Sequence, residues 1–366
     1  MAQFHALAIK EVKRETPECV SIAFHIPEEK ADAFAYKQGQ YITLKMQVNG
    51  EELRRSYSAC SSPLLEEDLR IAVKEVEDGR ASSYLNRQAA PGMQIEVMPP
   101  MGNFTVDMPA DRSQNFVAFA AGSGITPILS LLKSALVANS SNTFTLFYGN
   151  RERKQIIFAE ALQELEQKYG ERLKVVHVLS REASDDPLFE GRISDEKCQK
   201  LFQRFPRAAS ADHYFLCGPF DMIQNLRGAL QDMNIDADKV HFELFTTEPP
   251  AANGSESSTA ADAVAGESGQ QVVELCKVTV ILDGDETEVE VSKEDNILDA
   301  ILDAGLDAPY ACTGGSCCTC RAKVLEGSAI MDVNYALSDR EVEDGYILTC
   351  QSHPTTERMT VDYDAP

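Results

Sequence analysis

Between residues 38 and 106 apolar and polar positions alternate in short runs: QGQYITLKMQV, ELRRSYSACSSP, DLRIAVKEVE and MQIEVMPPMGNFTV. Glycine and proline break the runs. Alternation with a period of two predicts half-buried strands, and several short strands in close succession predict a small antiparallel β-barrel over residues 1–108. The pattern then changes. FVAFAAGSGITPILSLLK (116–133) reads as a buried strand, a glycine turn and a helix. TFTLFYGN, RLKVVHVLS and DHYFLCGP read as further buried strands, with the helical FAEALQELEQKYG between the first two. Strands alternating with helices predict an α/β domain with a parallel sheet over residues 109–247. A third pattern begins near Val272. CKVTVILDGDETEVEVS (276–292) is two alternating runs around a turn, a hairpin signal. DNILDAILDAG places Ile297, Leu298, Ile301 and Leu302 at helical spacing before a terminating Gly305, and CRAKVLEGSA reads as another strand.

Between the second and third patterns lies TTEPPAANGSESSTAADAVAGESGQQ, rich in Ala, Ser, Gly, Glu and Pro. It has almost no large apolar side chains with which to offset ordering entropy, so residues 248–271 are expected to form a flexible linker. Three domains follow: 1–108, 109–247 and 272–366.

Charge sharpens the division. The 366 residues carry 34 Lys and Arg against 58 Asp and Glu, a formal −24, and residues 272–366 alone hold −14 of it. A net-acidic chain lacks the electrostatic footprint of a nucleic-acid binder. No apolar run approaches the length of a membrane helix. The opening MAQFHALAIKEVKRE has no basic segment leading into an apolar one. The expectation is a cytoplasmic protein with no nucleic-acid or membrane partner, whose cysteines serve metal or redox chemistry rather than disulfides.

Ten cysteines are present, four of them inside ACTGGSCCTC (311–320). Cys312, Cys317 and Cys320 read C-x4-C-x2-C, and Cys350 follows in YILTCQ. Structural zinc sites usually carry two short paired knuckles; this spacing is that of a plant-type 2Fe–2S ferredoxin. Cys318 falls inside C-x2-C and is expected to be a non-ligand. Gly314 and Gly315 suit a loop that turns tightly around a cluster. Hairpin, helix, cysteine loop and strand together resemble the β-grasp (α+β) ferredoxin fold.

In the α/β region, G-x-G-x-x-P holds Gly122, Gly124 and Pro127 between a strand and a helix. Glycines admit a pyrophosphate to the backbone, and the helix N-terminus favours its charge.

In the barrel region two elements stand out, Arg55-Ser56-Tyr57-Ser58 and Gly79-Arg80-Ala81-Ser82. Barrel followed by nucleotide sheet resembles the ferredoxin–NADP reductase superfamily, whose flavin motif is R-x-Y-S. With a ferredoxin at the C-terminus, the chain outside the linker resembles the reductase components of bacterial oxygenases. EELRRSYSACSSP, AGSGITP, YGNR, PYACTGGSCCTCRAKVLEG and MDVNYALSDREVEDGYILTC are nearest to the reductase subunits of phenylacetyl-CoA epoxidase systems.

The resemblance implies roles for particular residues. Arg55 would hold the flavin phosphate, Tyr57 cover the isoalloxazine and Ser58 bond near its N5. Gly79 and Ser82 would meet the pyrophosphate of FAD. Gly122, Gly124, Thr126 and Pro127 would form the nicotinamide-nucleotide loop, and Cys217-Gly218-Pro219 the turn beside the nicotinamide. Glu243 and Phe245 would close over the flavin. Ser58, Cys217 and Glu243 are thus the candidate catalytic residues. Ser180 and Arg181 match the family's 2′-phosphate pair and point to NADPH; Glu182 is of the type that accepts a ribose hydroxyl and leaves NADH open. The implied activity carries electrons from NADPH through FAD and the cluster to an oxygenase, a di-iron epoxidase being the nearest partner. Alternatives are an FMN-containing phthalate-type dioxygenase reductase, a reductase for another partner such as hybrid-cluster protein, and a ferredoxin-like carrier or redox sensor.

Overall fold

The computed structural model describes residues 3–66, 68–245, 275–292 and 295–365. The linker expected at 248–271 lies outside them. The described chain forms two compact units, the first spanning Gln3–Phe245 and the second following it.

The first unit begins with β1 (His5–Thr16), β2 (Cys19–His25), β3 (Tyr41–Val48), β4 (Glu51–Ser58) and β5 (Arg70–Lys74), then α1 (Arg80–Gln88) and β6 (Gln94–Met101). The strands make an antiparallel sheet in the order β4-β3-β6-β1-β2-β5, and a bridge between Ala59 and Ile71 joins its two edges. Inward residues such as Ile9, Phe24, Ile42, Leu44 and Val97 fill the barrel.

A five-stranded parallel sheet follows: β7 (Asn115–Ala121), α2 (Ile125–Ala138), β8 (Thr143–Asn150), α3 (Ala159–Tyr169), β9 (Leu173–Leu179), α4 (Asp195–Arg204), β10 (His213–Gly218), α5 (Phe220–Asp232) and β11 (Val240–Leu244). Its order is β11-β10-β7-β8-β9. The order reverses direction beside β7, and such switch points are where open α/β sheets bind ligands.

Barrel and sheet share a core. Cys19, Cys60, Ala72 and Phe104 from the barrel segment pack with Ile128, Leu131, Leu132 and Ala135 of α2. Polar contacts fix the same face: Ser130 Oγ donates to the Ser61 carbonyl at 2.6 Å, and the Ser62 and Ser134 hydroxyls lie 2.8 Å apart. All four serines are buried. The two halves of the first unit are therefore held in one geometry, as a site built from both requires.

The second unit contains β12 (Leu275–Leu282), β13 (Asp285–Ser292), α6 (Ile297–Asp303), β14 (Arg321–Glu326), β15 (Ala329–Met331), α7 (Asp339–Glu343), β16 (Tyr346–Leu348), β17 (Ser352–Pro354) and β18 (Arg358–Asp362). The main sheet runs β13-β12-β18-β14-β16, and α6 contributes Ile297, Leu298 and Ile301 to its core. Asp283 and Gly284, both at positive φ, make the expected hairpin turn. Gly305 closes α6 at φ +83, as its place after the apolar helical run predicts.

Candidate functional site

The loop between α6 and β14 carries Cys312, Cys317 and Cys320; the turn after β16 carries Cys350. Cys317, Cys320 and Cys350 are buried and Cys312 is half-buried. The sulfurs fall into two pairs, Cys317 hydrogen-bonding to Cys312 and Cys320 to Cys350. Backbone N–H groups converge on the accepting sulfurs: those of Gly314 and Ser316 on Cys312, and that of Gly315 on Cys350. The Gly314 amide stands 3.4 Å from the Cys312 sulfur. These bonds, the Cys317 thiol's first, hold Cys312 toward thiolate; that from Cys320 does the same for Cys350. Among the described residues no group of three or more His, Cys, Asp or Glu side chains converges on a single-ion site. Four clustered cysteine sulfurs supplied with amide donors are the kind of donor set that would hold a binuclear cluster, so the residues fit a 2Fe–2S group. The tight turns fall on Thr313 and Gly315, at φ +52 and +73, rather than on both glycines. A Cβ on Gly315 would come 3.0 Å from Val333. Cys318 is buried, with its sulfur 3.3 Å from the Ala336 carbonyl and outside both pairs. Beneath the site, the Cys320 carbonyl accepts from the Thr349 amide and hydroxyl at 3.2 and 3.0 Å, and Tyr363 donates to that hydroxyl at 2.8 Å.

In the first unit, β4 pairs with β3 so that Arg55, Tyr57 and Ser58 oppose Leu44, Ile42 and Tyr41. Pleating puts Arg55 and Tyr57 on one face and Ser58 on the other. Arg55 is exposed and donates to the Arg54 carbonyl at 2.6 Å. Ser58 is buried and donates to Glu243 at 2.8 Å, a contact across 185 residues of sequence. Glu243 lies opposite Cys217 in the parallel pairing of β10 and β11. Three candidate residues from three strands thus meet where barrel and sheet join. Burial, and then the Glu243 charge, keep the Cys217 thiol neutral. Burial raises Glu243 to about 7, against the opposing effect of the Ser58 hydroxyl.

That shift has a measurable consequence. A carboxyl whose native pKa exceeds its unfolded value binds its proton more tightly when folded. Its stabilisation is complete below the ordinary value of 4.5 and is lost as pH rises through about 7. Glu243→Gln is expected to flatten the fall of Tm across that window, measured by calorimetry; an unchanged slope would place the effect elsewhere.

The 122–127 turn follows β7 and leads into α2. Gly122 adopts φ +55, and a Cβ on Gly124 would stand 2.1 Å from the Cys217 carbonyl oxygen. Glycine there lets the turn lie against the end of β10. Thr126 donates to the Ser123 carbonyl at 3.0 Å, and buried Pro127 sits in the first turn of α2. Gly218 is packed against Ala121 and Met222, and a Cβ there would stand 3.1 Å from Ala121 Cβ and displace the Met222 methyl; Pro219 caps α5.

Gly79 is the N-cap of α1, whose first amides have no side-chain cap. They open on a cleft of about 930 Å³ lined by Lys74, Gly79, Arg80, Ser83, Arg87 and Arg151, among others. The lining sets Lys74, Arg80, Arg87 and Arg151 against Glu18, Glu75, Glu77 and Asp78, so the fit to the diphosphate of FAD rests on the free amides at the helix start. The Ser82 hydroxyl is engaged elsewhere, accepting from the Val76 amide at 3.1 Å and donating to the Gly79 carbonyl at 3.2 Å. It braces the turn, while Ser83 lines the cleft. Lys74, Ser83 and Arg151 are not legible as site residues in the sequence because their segments converge only in the fold; the arginine of YGNR is the one available signal.

Ser180 and Arg181 follow β9. Their amides donate to the Asn150 and Arg151 carbonyls at 2.9 Å each, so the exits of β8 and β9 run side by side at the carboxyl edge of the sheet. Phe245 is 40% exposed just past β11.

Three family models match the chain in order: the oxidoreductase FAD-binding domain at 6–106, the oxidoreductase NAD-binding domain at 119–228 and the 2Fe–2S iron–sulfur cluster binding domain at 280–355. The chain is 39% identical over 366 residues to one of the subunits of the 1,2-phenylacetyl-CoA epoxidase of Escherichia coli K12, covering 100% of this chain and 99% of the relative. It is 34% identical over 364 residues to the ferredoxin reductase component of 3-ketosteroid-9-alpha-monooxygenase of Rhodococcus rhodochrous, covering 98% and 96%. Phthalate dioxygenase reductase shares the architecture, with a TM-score of 0.57 at 23% identity over 98% of each chain. The protein belongs to the family of flavin and iron–sulfur reductase components of oxygenases. It is an oxidoreductase with FAD-binding, NAD-binding and 2Fe–2S domains. Among the described residues no helix is long and apolar enough to cross a membrane.

Proposed function

We propose that this reductase takes electrons from NADPH, with NADH as the weaker donor, and delivers them to a di-iron epoxidase acting on phenylacetyl-CoA. The observation that carries the hydride site is the meeting of Ser58, Glu243 and Cys217. Full-length likeness to the phenylacetyl-CoA epoxidase component supports the choice of partner. A flavin supplies the junction between a two-electron hydride donor and a one-electron cluster.

The chain's own residues do the positioning. Arg55 and the amides of α1 hold the flavin phosphates, and Tyr57 covers the ring. Ser58 presents a hydroxyl whose orientation Glu243 fixes, and Glu243 keeps a proton available near neutral pH. Gly122, Gly124, Thr126 and Pro127 admit the nucleotide pyrophosphate, while Cys217, Gly218 and Pro219 shape the wall beside the nicotinamide. Phe245, exposed at the end of β11, covers the ring. Cys312, Cys317, Cys320 and Cys350 hold the cluster.

Purification of the tagged chain from its native cells should bring down the other epoxidase components; recovery of a different oxygenase instead would reject the partner. An FMN enzyme of the phthalate type is separated by the mass of the released flavin. Ser180 and Arg181 take the 2′-phosphate in this reading. Arg181→Ala is therefore expected to weaken NADPH against NADH by roughly ten- to a hundredfold, since a charge-assisted contact is worth ~1.5–3 kcal/mol. Equal loss for both nucleotides would reject the role.

A further inference from the structure

We infer that Arg153 sets the preference for a 2′-phosphate by occupying the Glu182 carboxylate, which would otherwise select a free ribose hydroxyl. The inference rests on the assignment of Ser180 and Arg181 to the ribose end of the nucleotide. Glu182 is the next residue along that loop, and an acidic side chain that accepts the ribose 2′-hydroxyl favours the unphosphorylated nucleotide. Here both of its oxygens are engaged. Oε1 accepts from Arg153 Nε at 2.9 Å, and Oε2 accepts from the Arg153 backbone amide at 2.9 Å.

The Arg153 amide first, then its guanidinium, hold the Glu182 carboxyl below its usual range, with Lys154 adding to the effect. The neighbouring carboxylate is matched as well, Glu152 pairing with Lys154 at 2.7 Å. These two ion pairs leave Arg151 and Arg181 outside them, at the paired exits of β8 and β9. Residues 151–154 and 180–182, next to the strand ends, carry four cations against two carboxylates, Arg151, Arg153, Lys154 and Arg181 against Glu152 and Glu182; Asp185 and Asp186 follow further along the β9 loop, where Asp186 accepts from the Leu188 amide. A dianionic phosphate meets a net positive edge as long as Glu182 stays matched. Freed from Arg153, Glu182 would repel that phosphate and accept a 2′-hydroxyl.

The pair is solvent-facing, Arg153 being 74% and Glu182 35% exposed, so its removal should leave the fold intact. This makes a double-mutant cycle clean. Binding of 2′,5′-ADP and of 5′-AMP would be measured by calorimetry on the flavin-loaded full chain. Arg153→Ala is expected to weaken 2′,5′-ADP by about tenfold and to leave 5′-AMP unchanged or tighter. Glu182→Gln should tighten 2′,5′-ADP. The double variant should return 2′,5′-ADP to near the wild-type affinity, because the penalty in the single variant comes from the bared carboxylate. If the double variant stays as weak as Arg153→Ala, Arg153 touches the phosphate itself and the inference is overturned. If Arg181→Ala weakens 2′,5′-ADP but Arg153→Ala does not, the inference fails and the site reading survives. If the wild type does not distinguish the two ligands, both fail.

Discussion

A chain ending at Glu248 is expected to keep its flavin and to oxidise NADPH with ferricyanide near the full-length rate, while its delivery of electrons to an oxygenase falls to background. The physical ground is the independence of the first unit. Residues Gln3–Phe245 form one compact body. Its barrel core and its sheet core draw on no described residue after 245, and the second unit's core draws on none before Cys276. Every element assigned to hydride transfer lies ahead of the cut: 55–58, 79–83, 122–127, 180–181, 217–219 and 243–245. Nothing that could accept single electrons at a metal remains. Both activities should be assayed on the same preparation. Oxygenase support at the full-length rate would mean that the cysteine loop is not the outlet.

Cys312→Ala is expected to abolish the visible absorption of the cluster and the electron delivery together, with one flavin per chain retained. Cys312 is the least buried of the four cysteines proposed as ligands, so its truncation disturbs packing least. What it removes is one member of a thiolate pair. Cys320 and Cys350, by contrast, are part of the second unit's apolar core. Metal binding free energy is folding free energy in a small domain built around its site. The second unit should therefore unfold at lower temperature while the transition of Gln3–Phe245 stays in place. Loss of flavin from a still-folded variant would contradict the separation of the two sites.

The parts legible in the sequence are those whose chemistry is local. The four cysteines read from C-x4-C-x2-C…C are brought together in two pairs, and the strand, glycine turn and helix read at 116–133 are β7, the 122–127 turn and α2. The hairpin at 276–292 is readable because Asp283-Gly284 sits between two clean alternations. β1 and β2 do not stand out in the same way. Register breaks between Ile9 and Glu11 and between Arg14 and Thr16 disturb the alternation of β1, and β2 is buried on both faces apart from His25. Ser58 and Glu243 can each be named from motifs, but their 2.8 Å contact spans 185 residues and follows only from the packing of barrel against sheet. The same holds for Lys74 and Arg151, which share a cleft that no sequence window contains. Glu182 shows the opposite hazard. Its type alone points toward a ribose hydroxyl, and the Arg153 fork that occupies it lies on another loop.

The central claim is that electrons enter in pairs at a flavin held by residues 3–245 and leave singly from a cluster held by residues 275–365. An anaerobic titration of the purified full chain with NADPH, combined with cofactor analysis, tests it most directly. The account predicts FAD rather than FMN, two irons with two sulfides per chain, and the uptake of about three electrons, two by the flavin and one by the cluster. A chain that takes up only two electrons, or whose metal is zinc, would contradict it.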